Sequence, residues 1–158
     1  MTESFLVTGT TKEEKYRSLY AAIAALTQDE SDIIANMANV TAAVKEVFGF
    51  LWVGFYHVVE DELVLGPFQG PVACTRIKKG RGVCGLSWEK AESIIVPDVD
   101  KFAGHIACSS KSKSEIVVPI FCDNNITGVL DIDSEDLNAF DEIDEKYLSQ
   151  IVKLLYIS

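Results

Sequence analysis

The sequence is short of positive charge. Its 158 residues carry 14 Lys and Arg against 24 Asp and Glu, a formal net charge of −10. A surface of that sign repels phosphate backbones and anionic lipid, so nucleic acid and membrane surfaces are poor partners. Long apolar runs are also missing. No stretch approaches the roughly 20 residues that a membrane helix needs. Residues 1–7 contain no basic segment followed by an apolar run, so no secretory signal is expected and the default address is the cytoplasm. Histidine occurs only at 57 and 105. Neither an internal repeat nor a low-complexity linker interrupts the chain. This length favours one domain with one core, spanning 1–158.

The four cysteines lack a close pair. Their spacing is Cys-x9-Cys-x23-Cys-x13-Cys, without the Cys-x2-4-Cys unit of structural zinc sites. In the cytoplasm such cysteines are catalytic, metal-binding or buried rather than structural disulfides. Gly80-Arg-Gly82 is too short for a phosphate-cradling loop.

What is present is concentrated. Cys74, Cys84 and Cys108 fall in one segment, with Cys122 beyond it. That segment also holds Arg76, Lys78, Lys79, Arg81, Lys90, Lys101, Lys111 and Lys113, eight of the 14 basic side chains. Cationic neighbours lower a thiol's pKa, and the thiolate is the form that attacks. Glycines at 80, 82, 85 and 104 allow the segment to move. Cys122 lies away from the basic side chains and reads as a buried or turn thiol.

The expected elements follow from period and punctuation. Thr11 to Glu14 reads as a capping box, with Glu14 reaching back. Tyr16, Leu19, Tyr20, Ile23 and Leu26 then keep helical spacing. Thr27 to Glu30 repeats the start signal before a stripe of Ile33, Met37, Val40, Val44 and Val47. Both stripes read as core, which gives a helix pair over about 11–48. Strands are predicted over 50–59, 62–67 and 72–77, the third carrying Cys74. A short helix over 83–91 begins near Cys84, where a helix N-terminus also favours a thiolate. A strand over 93–96 stops at Pro97. Residues 98–113 show no periodicity and read as a site loop holding His105 and Cys108. Strands over 115–121 and 127–133 form a hairpin around 123–126. A last helix over 141–156 turns Ile143, Leu148, Ile151 and Leu155 inward. Short turns join neighbouring strands. The fold class is therefore α+β, a mostly antiparallel central sheet over about 50–134 with helices packed on one face.

Side chains alternate faces along a strand, so Asp131 and Asp133 share one face. The hairpin register sets Glu115 across from 132–134. Three carboxyls would then converge, with Cys108 shortly before Glu115. Buried together, they raise each other's pKa; one can donate a proton while others bind a cation. The bland alternative is a solvated edge. An acidic pair inside Val-Leu-Asp-Ile-Asp is costly for a strand and favours the functional alternative. His105 lies near Cys108, but on a loop that spacing favours a surface histidine over a Cys-His pair.

Four stretches resemble the GAF-domain free methionine-(R)-sulfoxide reductases. They are Gly66-Pro-Phe-Gln-Gly-Pro-Val-Ala-Cys74-Thr-Arg-Ile, Gly80-Arg-Gly-Val-Cys84-Gly, His105-Ile-Ala-Cys108-Ser-Ser-Lys-Ser-Lys-Ser-Glu115-Ile-Val-Val-Pro119, and Gly128-Val-Leu-Asp131-Ile-Asp133-Ser. The likeness spans essentially the whole chain, and ordinary GAF sensor domains lack the three-cysteine spacing. It implies a single GAF domain, usually a homodimer. It implies reduction of free L-methionine-(R)-sulfoxide with thioredoxin as reductant and no metal or organic cofactor. By motif position Cys108 is similar to the attacking cysteine, and Cys74 and Cys84 to the resolving pair. Their order stays open, with Cys74 preferred for the first disulfide. Glu115, Asp131 and Asp133 match the site carboxylates. Glu115 and Asp133 are the two candidate proton donors. Trp52 and Tyr56 match the aromatic wall for the methyl-thio end. A non-catalytic GAF sensor of small ligands or redox state is the alternative.

Overall fold

In the computed structural model, which describes residues 6–106 and 109–156, alternation along the strands sorts side chains onto two differently covered sheet faces. The strands are β1 (Trp52–Val59), β2 (Glu62–Gln69), β3 (Arg76–Lys78), β4 (Ile94–Val96), β5 (Ser114–Cys122) and β6 (Asn125–Ser134). They form one antiparallel sheet in the order β3-β2-β1-β6-β5-β4. Both edge strands have only three residues, which leaves little unpaired ladder for another chain.

Helices α1 (Lys12–Thr27), α2 (Ile33–Phe48) and α4 (Glu142–Lys153) cover one face. Tyr16, Leu19 and Ile23 of α1, Met37, Val40 and Val44 of α2, and Leu148 and Ile151 of α4 pack there. They meet Val53 and Phe55, Ile116, Val118 and Ile120, and Leu130 and Ile132. These are every second residue of β1, β5 and β6, as the pleat requires. The helices therefore cover one face as the fold class predicts. The short α3 (Gly82–Lys90) lies over the opposite face. There Val83, Cys84 and Trp88 meet Trp52, Tyr56, Val117 and Val129. Among the described residues no helix is long and apolar enough to cross a membrane.

The helix ends show where local signals act. Thr11 caps α1 by accepting from the Glu14 amide, but the Glu14 carboxylate reaches one residue further, to the Thr10 amide at 3.1 Å. Thr27 closes α1 instead of starting α2, its hydroxyl donating to the Ile23 carbonyl. Asp32 caps α2 by accepting from the Ile34 and Ala35 amides, because its short carboxylate matches the free N–H groups of a first turn. Gly49 ends α2 at φ 67°, a conformation that favours glycine. A complete capping box forms instead at Asp141 and Asp144 of α4. Asp123 and Asn124 both have positive φ between Cys122 and Asn125, the type I′ requirement for a two-residue hairpin.

Cys74 is not on a strand. Residues 71–75 form a loop ahead of β3. Two of the loop's carbonyls are taken by side chains of β1: Trp52 Nε1 donates to Pro71 O at 3.0 Å and Tyr56 Oη to Cys74 O at 2.8 Å. The loop is thus tied across the sheet face, and it meets the ladder only at Thr75, whose carbonyl accepts from the Leu65 amide at 2.9 Å.

Asp144 anchors α4 to α1. It is fully buried and accepts from Lys12 Nζ and Tyr16 Oη, both at 2.6 Å, and from the Asp141 amide at 2.9 Å. Breaking a buried charge pair from one side leaves the partner uncompensated. Asp144→Ala is expected to lower unfolding free energy by about 3 kcal/mol, at the low end of the range because Lys12 keeps some water contact. Tyr16→Phe should cost only about 1 kcal/mol. Urea unfolding measures both; a loss below that of Tyr16→Phe for Asp144→Ala would contradict the anchor.

Candidate functional site

The α3-covered face carries the polar residues. In the register, Trp52 of β1 stands opposite Asp133 of β6, and Asp133 opposite Glu115 of β5. One row across three strands thus holds an indole and two carboxyls. The next row holds Gly54, Asp131 and Val117. A Cβ at Gly54 would strike the Trp52 ring, so glycine lets the indole lie flat over the strand. Trp52 and Tyr56 stack with centroids 6.0 Å apart and form the apolar wall of a pocket. The pocket is also lined by Cys84, His105, Ser112, Glu115, Asp131 and Asp133.

The sheet brings Trp52, Tyr56, Glu115, Asp131 and Asp133 to one place, as the sequence predicts, and α3 adds Cys84. Cys74 lies in the loop held by Tyr56, its sulfur engaged in a disulfide. Cys84 and Cys122 carry free thiols. Cys122 sits at the hairpin end of β5, away from the pocket. Cys108 lies outside the described residues.

His105 is the residue the sequence undervalued. Its side chain is only 14% exposed, and Nε2 lies 3.4 Å from Glu115 Oε2. Nearness to Cys108 in the chain was the available signal, but a loop residue's direction is not encoded in spacing. Ser112 was not singled out either; its hydroxyl donates to Asp133 Oδ1 at 2.7 Å.

The electrostatics follow from burial. Glu115 and Asp131 are buried. Among the described residues no Lys or Arg pairs with Glu115, Asp131 or Asp133, and His105 is the one cationic candidate in contact. Loss of water disfavours the charged form, and neighbouring carboxylates add to the effect. Glu115 is pushed up to about 8, first by burial and then by the Asp133 charge, against a hydrogen bond to Asp131. Burial and the Glu115 charge hold Asp131 well above the usual carboxyl range. Burial and the Asp131 charge do the same for Asp133, opposed by the Ser112 hydrogen bond and His105. Asp131 Oδ1 is buried without a hydrogen-bond partner among the described residues.

The expectation that basic neighbours and a helix N-terminus make Cys84 a thiolate is overturned. Burial pushes its thiol well above the ordinary value, with the Asp131 and Glu115 charges adding. The eight basic side chains of 76–113 are all exposed, and of them only Arg81 lines the pocket, with no ion pair to its carboxyls. Arg76 pairs with Glu62 at 2.9 Å, and Lys79 lies over the Trp88 ring. Cys84, Glu115 and Asp131 could hold a metal ion, their ligand atoms lying within 4.8 Å of one another.

The arrangement can deliver protons at neutral pH and can compensate a cation. The unfolded chain releases the Glu115 proton near 4.5, whereas the fold keeps it to about 8. Between these values the native state binds more protons. Stability must therefore fall as pH rises, by about 1.4 kcal/mol per pH unit for this group. Glu115→Gln is expected to flatten that decline in urea unfolding between pH 5 and 8. An unchanged slope would show that Glu115 is not the proton-retaining group.

Comparisons with known proteins place the fold and the family. The family described as GAF domain matches residues 30–157. GAF domain-containing protein A of Dictyostelium discoideum is 62% identical over 156 residues, 98% of this chain and 99% of that protein. The free methionine-R-sulfoxide reductase of Escherichia coli strain K12 is 45% identical over 145 residues, 91% of this chain and 88% of that protein. The X-ray structure of free methionine-R-sulfoxide reductase from Neisseria meningitidis, in complex with its substrate, superposes with a TM-score of 0.95. It is 52% identical and covers 97% of this chain and 93% of that one.

Proposed function

This chain belongs to the GAF-domain free methionine-(R)-sulfoxide reductase family, and on that premise we propose that it reduces free L-methionine-(R)-sulfoxide to methionine with thiol chemistry. One observation carries the reading: three carboxyls, Glu115, Asp131 and Asp133, face a Trp52–Tyr56 wall in one pocket, with no Lys or Arg paired to them among the described residues. Such a pocket suits a ligand with an apolar thioether end, a sulfoxide oxygen that needs a proton and a cationic head.

In the proposed reaction Cys108 attacks the sulfoxide sulfur as a thiolate. Glu115, still protonated at neutral pH, gives a proton to the oxygen as the sulfur–oxygen bond breaks. The oxygen passes to Cys108 as a sulfenic acid, and methionine leaves as the thioether. A second thiol then condenses with the sulfenic acid, releasing water and forming a disulfide. Cys74 takes that part first, a choice supported by the readiness of its sulfur for disulfide bonding. Cys84 is the second resolving thiol. Its buried, protonated state suits a group that waits rather than attacks. An external dithiol, proposed to be thioredoxin, restores both thiols by exchange. No metal or organic cofactor enters the scheme. Asp133, oriented by Ser112, and Asp131 receive the α-ammonium. A cytoplasmic homodimer is the proposed working form.

Cys108→Ser is expected to abolish methionine formation in a single turnover, because a serine hydroxyl is not ionised at neutral pH. Normal formation by this variant in quenched-flow chromatography would remove Cys108 from the nucleophile role. Production of no methionine by the intact protein with methionine-(R)-sulfoxide and dithiothreitol would leave the sensor alternative.

The free amino acid is expected to be the substrate rather than a residue in a polypeptide. Acetylation removes the ammonium charge and leaves buried carboxyls without their partner. A hydrogen bond to a charged group is worth about 1.5–3 kcal/mol, or roughly 10- to 150-fold. N-acetyl-methionine-(R)-sulfoxide should show kcat/KM lower by that factor, and Asp133→Asn should narrow the gap. Equal kcat/KM for the two compounds would show that the carboxyls do not read the amino group.

A further inference from the structure

We propose that the reduced protein holds one Zn²⁺-class ion between Cys84, Glu115 and Asp131. The three ligand atoms lie within 4.8 Å of one another, and all three residues are buried. Ligand atoms around a tetrahedral zinc stand about 3.5 Å apart, given bonds of about 2.3 Å to sulfur and 2.0–2.2 Å to oxygen. Closing the set shortens a ligand–ligand distance by about 1.3 Å at most, shared between two side chains.

A second observation points to a ligand independently of the cluster. Asp131 Oδ1 is fully shielded and has no hydrogen-bond partner among the described residues, on a residue only 7% exposed. It lines the pocket together with Cys84 and Glu115. An orphaned buried carboxylate oxygen is costly, and a cation there would satisfy it. No Lys or Arg does so among the described residues.

The donors also select the ion. One thiolate with two carboxylates is too soft for Mg²⁺ or Ca²⁺ and too hard for Cu⁺, and it suits Zn²⁺ and its surrogate Co²⁺. Cys84 is on α3, Glu115 on β5 and Asp131 on β6. Ligands on regular elements are held more firmly than ligands on loops. Three protein ligands leave the fourth position open to the pocket, where water completes the tetrahedron. This differs from a structural zinc site, which closes with four protein ligands. Binding exchanges the Cys84 thiol proton for the metal, and the proton goes to buffer. An ion in this position would occupy the floor of the pocket and withdraw Cys84 from thiol chemistry, so it would inhibit rather than assist.

The inference rests on residue geometry and not on the proposed reduction, and its test involves no turnover. The full chain carrying Cys74→Ser, Cys108→Ser and Cys122→Ser keeps Cys84 as its one thiol. Titrated with CoCl₂ without oxygen, it is expected to develop a near-ultraviolet thiolate-to-cobalt charge-transfer band, saturating at one ion per chain. Adding Cys84→Ser should abolish the band. In the single-thiol protein, Asp131→Asn should weaken cobalt binding at least tenfold, and circular dichroism checks that each variant is folded. Absence of the band in the folded single-thiol protein, or a band indifferent to Asp131→Asn, would overturn the site. Should the triple variant not fold, the reduced natural chain is titrated with and without Asp131→Asn, and equal cobalt affinities would overturn the site equally.

Discussion

Three carboxyls on one sheet face, with no lysine or arginine pairing them among the described residues, are the constraint on which the pocket depends. Taking a carboxylate out of water is costly, and the cost grows when the neighbours carry the same charge. The fold answers by holding Glu115 protonated up to about 8 and by placing Ser112 and His105 where they ease the charge on Asp133. Some residual cost remains at Asp131, whose Oδ1 has no partner among the described residues. A polar pocket left in that condition is prepared for a ligand that brings donors or positive charge. That one condition underlies the proposed role of Glu115, the reading of the ammonium and the candidate metal position.

The same sheet supports this because its two faces do different work. Val53 and Phe55, Ile116 and Val118, and Leu130 and Ile132 pack against three helices in a continuous apolar core. Burial of that area supplies the stability. The residues between them, Trp52 and Tyr56, Glu115, Asp131 and Asp133, are then free to be chosen for chemistry. Aromatic side chains on the pocket face serve both ends. Trp52 and Tyr56 form the apolar wall, and their polar tips hold the 71–75 loop through the Pro71 and Cys74 carbonyls. The wall and the loop that carries Cys74 are therefore one mechanical unit.

Cys84 shows how an environment overrides a residue's surroundings in sequence. Basic side chains flank it along the chain, yet all of them are exposed. Its spatial neighbours are Asp131 and Glu115, and the thiol is held protonated. Distance through space decides a pKa, and the dielectric along that path decides how strongly.

Much of the architecture was legible in the amino-acid sequence, because alternation and helical period are local physics. Asp131 and Asp133 had to share a face, and a turn around 123–126 set Glu115 across from 132–134; the structure fixes the partner as Asp133. The helix stripes through Tyr16 and Val40 likewise followed from side-chain period alone. What only the tertiary structure decided depends on long-range contact. Cys74 left the sheet because Tyr56, 18 residues earlier, took its carbonyl. His105 turned inward to Glu115, and Cys84 lost its expected thiolate once α3 docked on the carboxyl face. Period and turn chemistry act over a few residues, whereas burial and charge act between whichever groups the folded chain brings together.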